Sequence, residues 1–237
     1  TGGISSANAL SVLGARTFVS DIGAISLTNV ANSFDRLTLI GDIVNLTETA
    51  DVELDIVYVG TSFSAPSETG SVIDSTGASI DVSGDATISA AQTIALGDSD
   101  NDSVILGSVD LQAETVSLTQ KSGIVVKGLT AQNASLESSS GISDQTGATV
   151  NVSELLEISA GGLVRLDRGL NSIARLSLLT TGDAQLNNLT ALQIDSLSAT
   201  ALTLSAAGSI TNSGTVNTTG STSIVSDLDI ELSGDGN

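Results

Sequence analysis

Ile80-Asp81-Val82-Ser83 returns further along the chain as Val150-Asn151-Val152-Ser153, and a looser version stands the same distance upstream at Leu10-Ser11-Val12. Val216-Asn217-Thr218-Thr219 follows at nearly the same interval after Val150. A second mark keeps the same register: Ser75-Thr76-Gly77-Ala78 matches Gln145-Thr146-Gly147-Ala148, with Asn212-Ser213-Gly214-Thr215 in phase. A third pair, Ser33-Phe34-Asp35-Arg36-Leu37-Thr38-Leu39 and Ser172-Ile173-Ala174-Arg175-Leu176-Ser177-Leu178, is set two such intervals apart. Self-similarity at a long fixed period is the mark of an array or solenoid. Long units are placed near 10–79, 80–149 and 150–215, with a partial unit over 216–237. The whole of 1–237 reads as one β-solenoid segment, without an internal boundary, of a longer or polymerising chain.

Inside each long unit runs a shorter beat of about twenty residues. Residues 109–128 (VDLQAETVSLTQKSGIVVKG), 129–147 (LTAQNASLESSSGISDQTG) and 150–169 (VNVSELLEISAGGLVRLDRG) each hold three short alternating runs separated by Gly, Ser, Asn or Asp. Alternation over three to five residues is a strand signal, and the separators supply bent or left-handed backbone. Helical spacing is sustained nowhere. Three short strands per coil, over about ten coils, predict an all-β fold, a parallel β-helix. At the interstrand spacing of about 4.8 Å such a stack would be a rod roughly 50 Å long. The expected inward positions include Ile80, Val82, Ile88, Ile94, Leu96, Val104, Leu106, Val116, Leu118, Ile124 and Val126, with Ser, Thr, Asp and Gln facing water.

Two places break the beat. Gly60–Gly70 (GTSFSAPSETG) contains the only proline, Pro66, and is expected to leave the coil as a protruding loop. Gly97–Ser103 (GDSDNDS) reads as a polar corner.

Composition narrows the functions. The aromatics Phe18, Phe34, Tyr58 and Phe63 all stand near the start of the chain, so the core beyond Phe63 must be aliphatic. Cys, Met, Trp and His are absent, which excludes disulfides, thiolate chemistry, histidine metal sites and a histidine base. Twenty-seven acidic residues against 7 basic ones give a net charge of −20. That balance repels phosphate backbones and anionic lipid, so nucleic acid is excluded as a partner and cations are favoured. No apolar run approaches the roughly 18 residues of a membrane span. A start at Thr1 reads as a processed or excised part of a longer secreted protein.

Residues 202–216 (LTLSAAGSITNSGTV) resemble the repeats of filamentous-haemagglutinin-type adhesins, large bacterial surface β-helices, in their order of alternating strand, Ala-Gly, Ile, Asn and Gly. The likeness extends loosely over all the coils. It implies a right-handed parallel β-helix exported to the cell surface and acting as a stalk or an adhesive fibre.

Candidate sites are few. Asp98, Asp100 and Asp102 occupy alternate positions in one loop, as in the first half of a Ca²⁺ loop. Ser103 stands where an EF-hand needs Gly, and Val109 where it needs Glu, so the readings are a solvated corner or a weak Ca²⁺ site. No other cofactor is called for. Asp51, Glu53 and Asp55 alternate along a strand, as do Asp227, Asp229 and Glu231, and read as edge protection or as cation-bridged contact between rods. Arg165, Asp167, Arg168 and Arg175 form the mixed-charge cluster, read as structural ion pairing. A sugar-cleaving site would need two carboxylates about 5 to 9 Å apart. Six sequons, at Asn45, Asn101, Asn133, Asn151, Asn188 and Asn217, are compatible with surface glycosylation.

The function expected from these readings is a non-enzymatic, extracellular or cell-surface β-solenoid, structural or adhesive, that acts as a surface stalk or a stacking subunit of a fibre. Its expected partners are other copies or neighbouring segments of the same chain, and host-surface or matrix polysaccharide. A β-helix polysaccharide-binding or polysaccharide-degrading protein is the alternative, because fold does not fix function.

Overall fold

In the computed structural model, residues 2–21, 23–97 and 102–233 are described, and among them every regular element is a β-strand. The chain forms two compact units, Thr1–Gln120 and Lys121–Asn237. Within each unit the strands pair in parallel, and the pairing climbs about twenty residues at a step.

In the first unit one ladder runs Ile4, Ile25, Val44, Phe63, Ala86, Val109, each the register partner of the next. In the second unit a ladder runs Ile124, Ile142, Val164, Ala184, Leu202, Thr222. A second ladder there runs Leu136, Ile158, Leu178, Leu197, Val216. Each unit is therefore a β-solenoid of stacked coils. All eleven inward positions expected above are at most 2% exposed. Burying one such aliphatic side chain is worth roughly 1.5–3 kcal/mol, so the ladders hold the coils together.

The strands are longer than three short runs per coil would give. Val52–Ser67 is a single strand of 16 residues, and Val72–Ala90 and Ile142–Ala160 each have 19. They turn the coil's corners by bulging: register slips fall between Leu54 and Ile56, and between Val82 and Asp85. A bulge bends the strand while pairing resumes beyond it. Gly60–Gly70 is not a protruding loop. Phe63 and Ala65 are buried in the core, and Pro66 pairs with Ser89. Proline lacks an N–H, yet its carbonyl still accepts the Glu48 N–H at 3.1 Å, so the ladder survives.

Two devices fix the corners. Gly77 and Gly147, one long unit apart, both have φ of +81°, a left-handed conformation that glycine adopts without strain. Ser and Thr hydroxyls at the turns reach back to carbonyls of the preceding coil: Ser67 to Ala50 at 2.6 Å, Ser138 to Ser122 at 2.7 Å, Thr181 to Gly161 at 2.7 Å. These Ser and Thr residues thus serve coil-to-coil bonding rather than hydration alone. Buried asparagines do the same work inside. Asn32 donates to the Leu27 carbonyl at 2.8 Å and the Thr47 carbonyl at 3.2 Å. Asn171 donates to the Leu166 carbonyl at 2.7 Å and the Asn187 carbonyl at 3.1 Å. These asparagines immediately precede the two copies of the repeated segment that begin at Ser33 and Ser172.

Candidate functional site

Of the proposed cation loop, Asp98 and Asp100 lie outside the described residues. Asp102 is 3% exposed, and its Oδ1 accepts the Gly77 N–H at 2.6 Å and the Ala78 N–H at 3.1 Å. Its carboxylate thereby caps the left-handed corner one coil back. Asp144 in the second unit reaches the other way, to the following coil, where it accepts the N–H groups of Arg168 and Gly169. Asp74 accepts that of Gly97 at 2.7 Å. Carboxylate bonds to backbone N–H are charge-assisted and stronger than neutral ones. Among the described residues no three acidic side chains converge on a metal position.

Asp51, Glu53 and Asp55 do not protect an edge, because the strand Val52–Ser67 is paired on both sides, with Ser33–Leu46 and Val72–Ala90. Their repulsion is answered one by one. Asp51 accepts the Ser71 N–H at 2.8 Å, Glu53 pairs with Arg36 at 3.1 Å, and Asp55 accepts the Ser75 hydroxyl at 2.9 Å. Asp227, Asp229 and Glu231, by contrast, are exposed, beside strands that are paired on one side among the described residues. Arg165 pairs with Asp167 at 2.8 Å, and Arg175 with Asp195 at 2.5 Å. The Asp167 hydrogen bond raises the Arg165 pKa. These are closed ion pairs with local partners. The sequon at Asn188 does not face solvent: the residue is fully buried and its amide is hydrogen-bonded.

The least expected group is Glu48, at a turn in the first unit. It is 0% exposed, and its Oε1 accepts the Phe34 N–H. Its Oε2 is buried without a hydrogen-bond partner. Asp35, Asp51 and Glu53 line the same cavity of about 390 Å³. Burial pushes the Glu48 carboxyl up from 4.5 to about 7; the Phe34 N–H opposes this, and the charges of Asp35 and Asp51 add to it. A group with a pKa near neutrality beside other carboxylates is a functional candidate in principle. Complete burial, however, keeps a substrate from touching it. No feature of Thr47-Glu48-Thr49 itself sets it apart from a solvated turn. Only its phase in the long repeat marks it, since Gln120 and Asn188 stand about one and two long units further along.

That phase agrees with an independent comparison, in which successive matched segments begin at residues 41, 113 and 181, and Glu48, Gln120 and Asn188 share one offset from those starts. No curated protein and no solved structure matches the chain. The repeat, its ladders and its corners run through all four matched segments, at residues 1–40, 41–112, 113–180 and 181–237, and the chain belongs to the family described as Repeats of unknown function (DUF5649).

Proposed function

We propose that this chain is an extracellular or cell-surface β-solenoid with a structural or adhesive role, acting as a surface stalk or as a stacking subunit of a fibre. The observation that carries the reading is the parallel stack itself, in which each coil is paired along its strands, in register, with the next. Such a stack can be lengthened by further coils without any change to its interior. Val225, Leu228 and Ile230 are 55%, 67% and 46% exposed, apolar side chains that association between copies would bury. The net charge of −20 keeps the exposed faces of the coils soluble.

Two further features support a scaffold role. Arg165 and Arg175 of the mixed-charge cluster pair with Asp167 and Asp195, and Asp102 and Asp144 cap backbone corners. Among the described residues no helix is long and apolar enough to cross a membrane. Sedimentation over a concentration series should show association that grows with concentration, and Leu228→Asp combined with Ile230→Asp should suppress it. A wild-type chain that stays monomeric at every concentration would overturn the stacking-subunit reading, and compact globular particles in electron micrographs would overturn both.

A further inference from the structure

Glu48, Gln120 and Asn188 occupy one phase of the long repeat, and the two amides are used alike. Gln120 Oε1 accepts the Leu106 N–H at 3.1 Å while its Nε2 donates to the Leu106 carbonyl at 3.2 Å. Asn188 Oδ1 accepts the Ile173 N–H at 2.8 Å while its Nδ2 donates to the Ile173 carbonyl at 3.0 Å. Each buried amide thus closes a two-bond ring on a single backbone residue 14 or 15 positions earlier. Glu48 stands 14 residues after Phe34 and makes the first of these bonds through Oε1. An ionised carboxylate accepts only, so it cannot supply the second; a protonated carboxyl carries one O–H donor. The partnerless Oε2 is the atom at which a proton would restore the ring.

We propose that Glu48 is held as a neutral carboxylic acid in the folded chain, in place of the amides at Gln120 and Asn188, and that its ionisation is a pH-sensitive latch on the first unit. The charges around it favour the neutral form. Asp35 on the strand Ser33–Leu46, Asp51 in the turn and Glu53 on Val52–Ser67 line the same cavity. Arg36, the nearby cation, has its Nε on Glu53 at 3.1 Å. Glu68 on the next coil meets Glu48 through the backbone, its N–H on the Glu48 carbonyl at 3.0 Å. Asp74 on Val72–Ala90 accepts the Gly97 N–H. The preceding strand Ala24–Leu27 carries no charge. Ionising Glu48 therefore buries a carboxylate among like charges and leaves the Phe34 carbonyl without the donor that the equivalent backbone residues receive.

The sign follows from linkage. The folded carboxyl, near 7, binds its proton more tightly than the unfolded one, near 4.5. The stabilisation is complete below the unfolded value and is lost as pH rises through the folded one. The test is thermal and urea unfolding of the full chain from about pH 4 to about pH 9 for the wild type, Glu48→Gln and Gln120→Glu. Wild type should lose stability as pH rises toward 8, by a factor on the order of a few hundred in the folding constant. Glu48→Gln should remove most of that dependence and be the more stable protein at high pH. Gln120→Glu should acquire a further loss of the same sign. The Glu48 carboxyl carbon, followed by NMR, should titrate near neutrality. Parallel pH profiles for wild type and Glu48→Gln, or a Glu48 that titrates in the ordinary carboxylate range, would overturn the proposal.

Discussion

Phe63→Ala is expected to cost the first unit about 3–5 kcal/mol, the range for emptying a buried aromatic site. Phe63 is 1% exposed and stands in the ladder between Val44 and Ala86. Ala86 is too short to reach into the vacated space, and Val44 is fixed by its own place in the stack. Coils paired above and below cannot close over the gap without breaking register, so the cavity persists. Urea unfolding followed by far-ultraviolet circular dichroism would report it as a lower midpoint. A loss below about 1 kcal/mol would mean that the site collapses freely and that the interior is not packed as described.

Gly84→Ala should be nearly as damaging for a different reason. A Cβ at Gly84 would sit 1.8 Å from the Thr61 carbonyl oxygen and 2.7 Å from its carbon. Both obstructing atoms are backbone, so no rotamer change relieves the contact and the preceding coil must move. Overpacking of this kind costs about 1–3 kcal/mol, and rigid obstruction puts the expected value at about 3 kcal/mol. Gly77→Ala makes the control. Nothing lies within 4 Å of its added Cβ, and only the φ of +81° resists, which costs roughly 1–2 kcal/mol. A Gly84 variant as stable as the wild type would contradict the close approach of the two coils at this corner.

The interior is legible in the sequence because it depends on side-chain chemistry. Alternation of Ile, Val and Leu with polar residues tells which positions point inward, and every one of the eleven positions read that way is buried. The corners are less legible, because a bulge is a property of backbone pairing and leaves no distinct residue type behind. Val52–Ser67 therefore reads as broken at Gly60 and Pro66 but forms one strand. Pro66 looks like an exit from the coil, yet a proline carbonyl accepts as well as any other.

Acidic residues mislead in a different way. Alternating Asp51, Glu53 and Asp55 look like a charged edge, whereas each is answered by a hydroxyl, an N–H or Arg36 on a neighbouring coil. Asp102 looks like a ligand and is a corner cap. Glu48 is invisible for the opposite reason: its short neighbourhood is that of an ordinary turn, and its equivalents are a glutamine and an asparagine. Three residue types share one role because the role requires one acceptor oxygen and one donor on a short side chain. That equivalence emerges only when the hydrogen bonds of Glu48, Gln120 and Asn188 are set side by side. Asn32 and Asn171 carry a plainer signal, since both stand just before a copied segment.

The fold is defined by consecutive coils lying in parallel, in register, about twenty residues apart. The chain has no cysteine, so an introduced pair reports proximity without background. Gln185 and Thr203 are register partners on adjacent coils, and Thr203 pairs in turn with Ser223 on the coil beyond. Neighbouring strands lie about 4.8 Å apart, within the Cα separation of about 4.4–6.8 Å that a disulfide spans. Under mild oxidation the double variant Gln185→Cys with Thr203→Cys should form an intramolecular disulfide, and Gln185→Cys with Ser223→Cys, two coils apart, should not. Failure of the first pair to link, or equal linking of both, would contradict the stacked parallel coil.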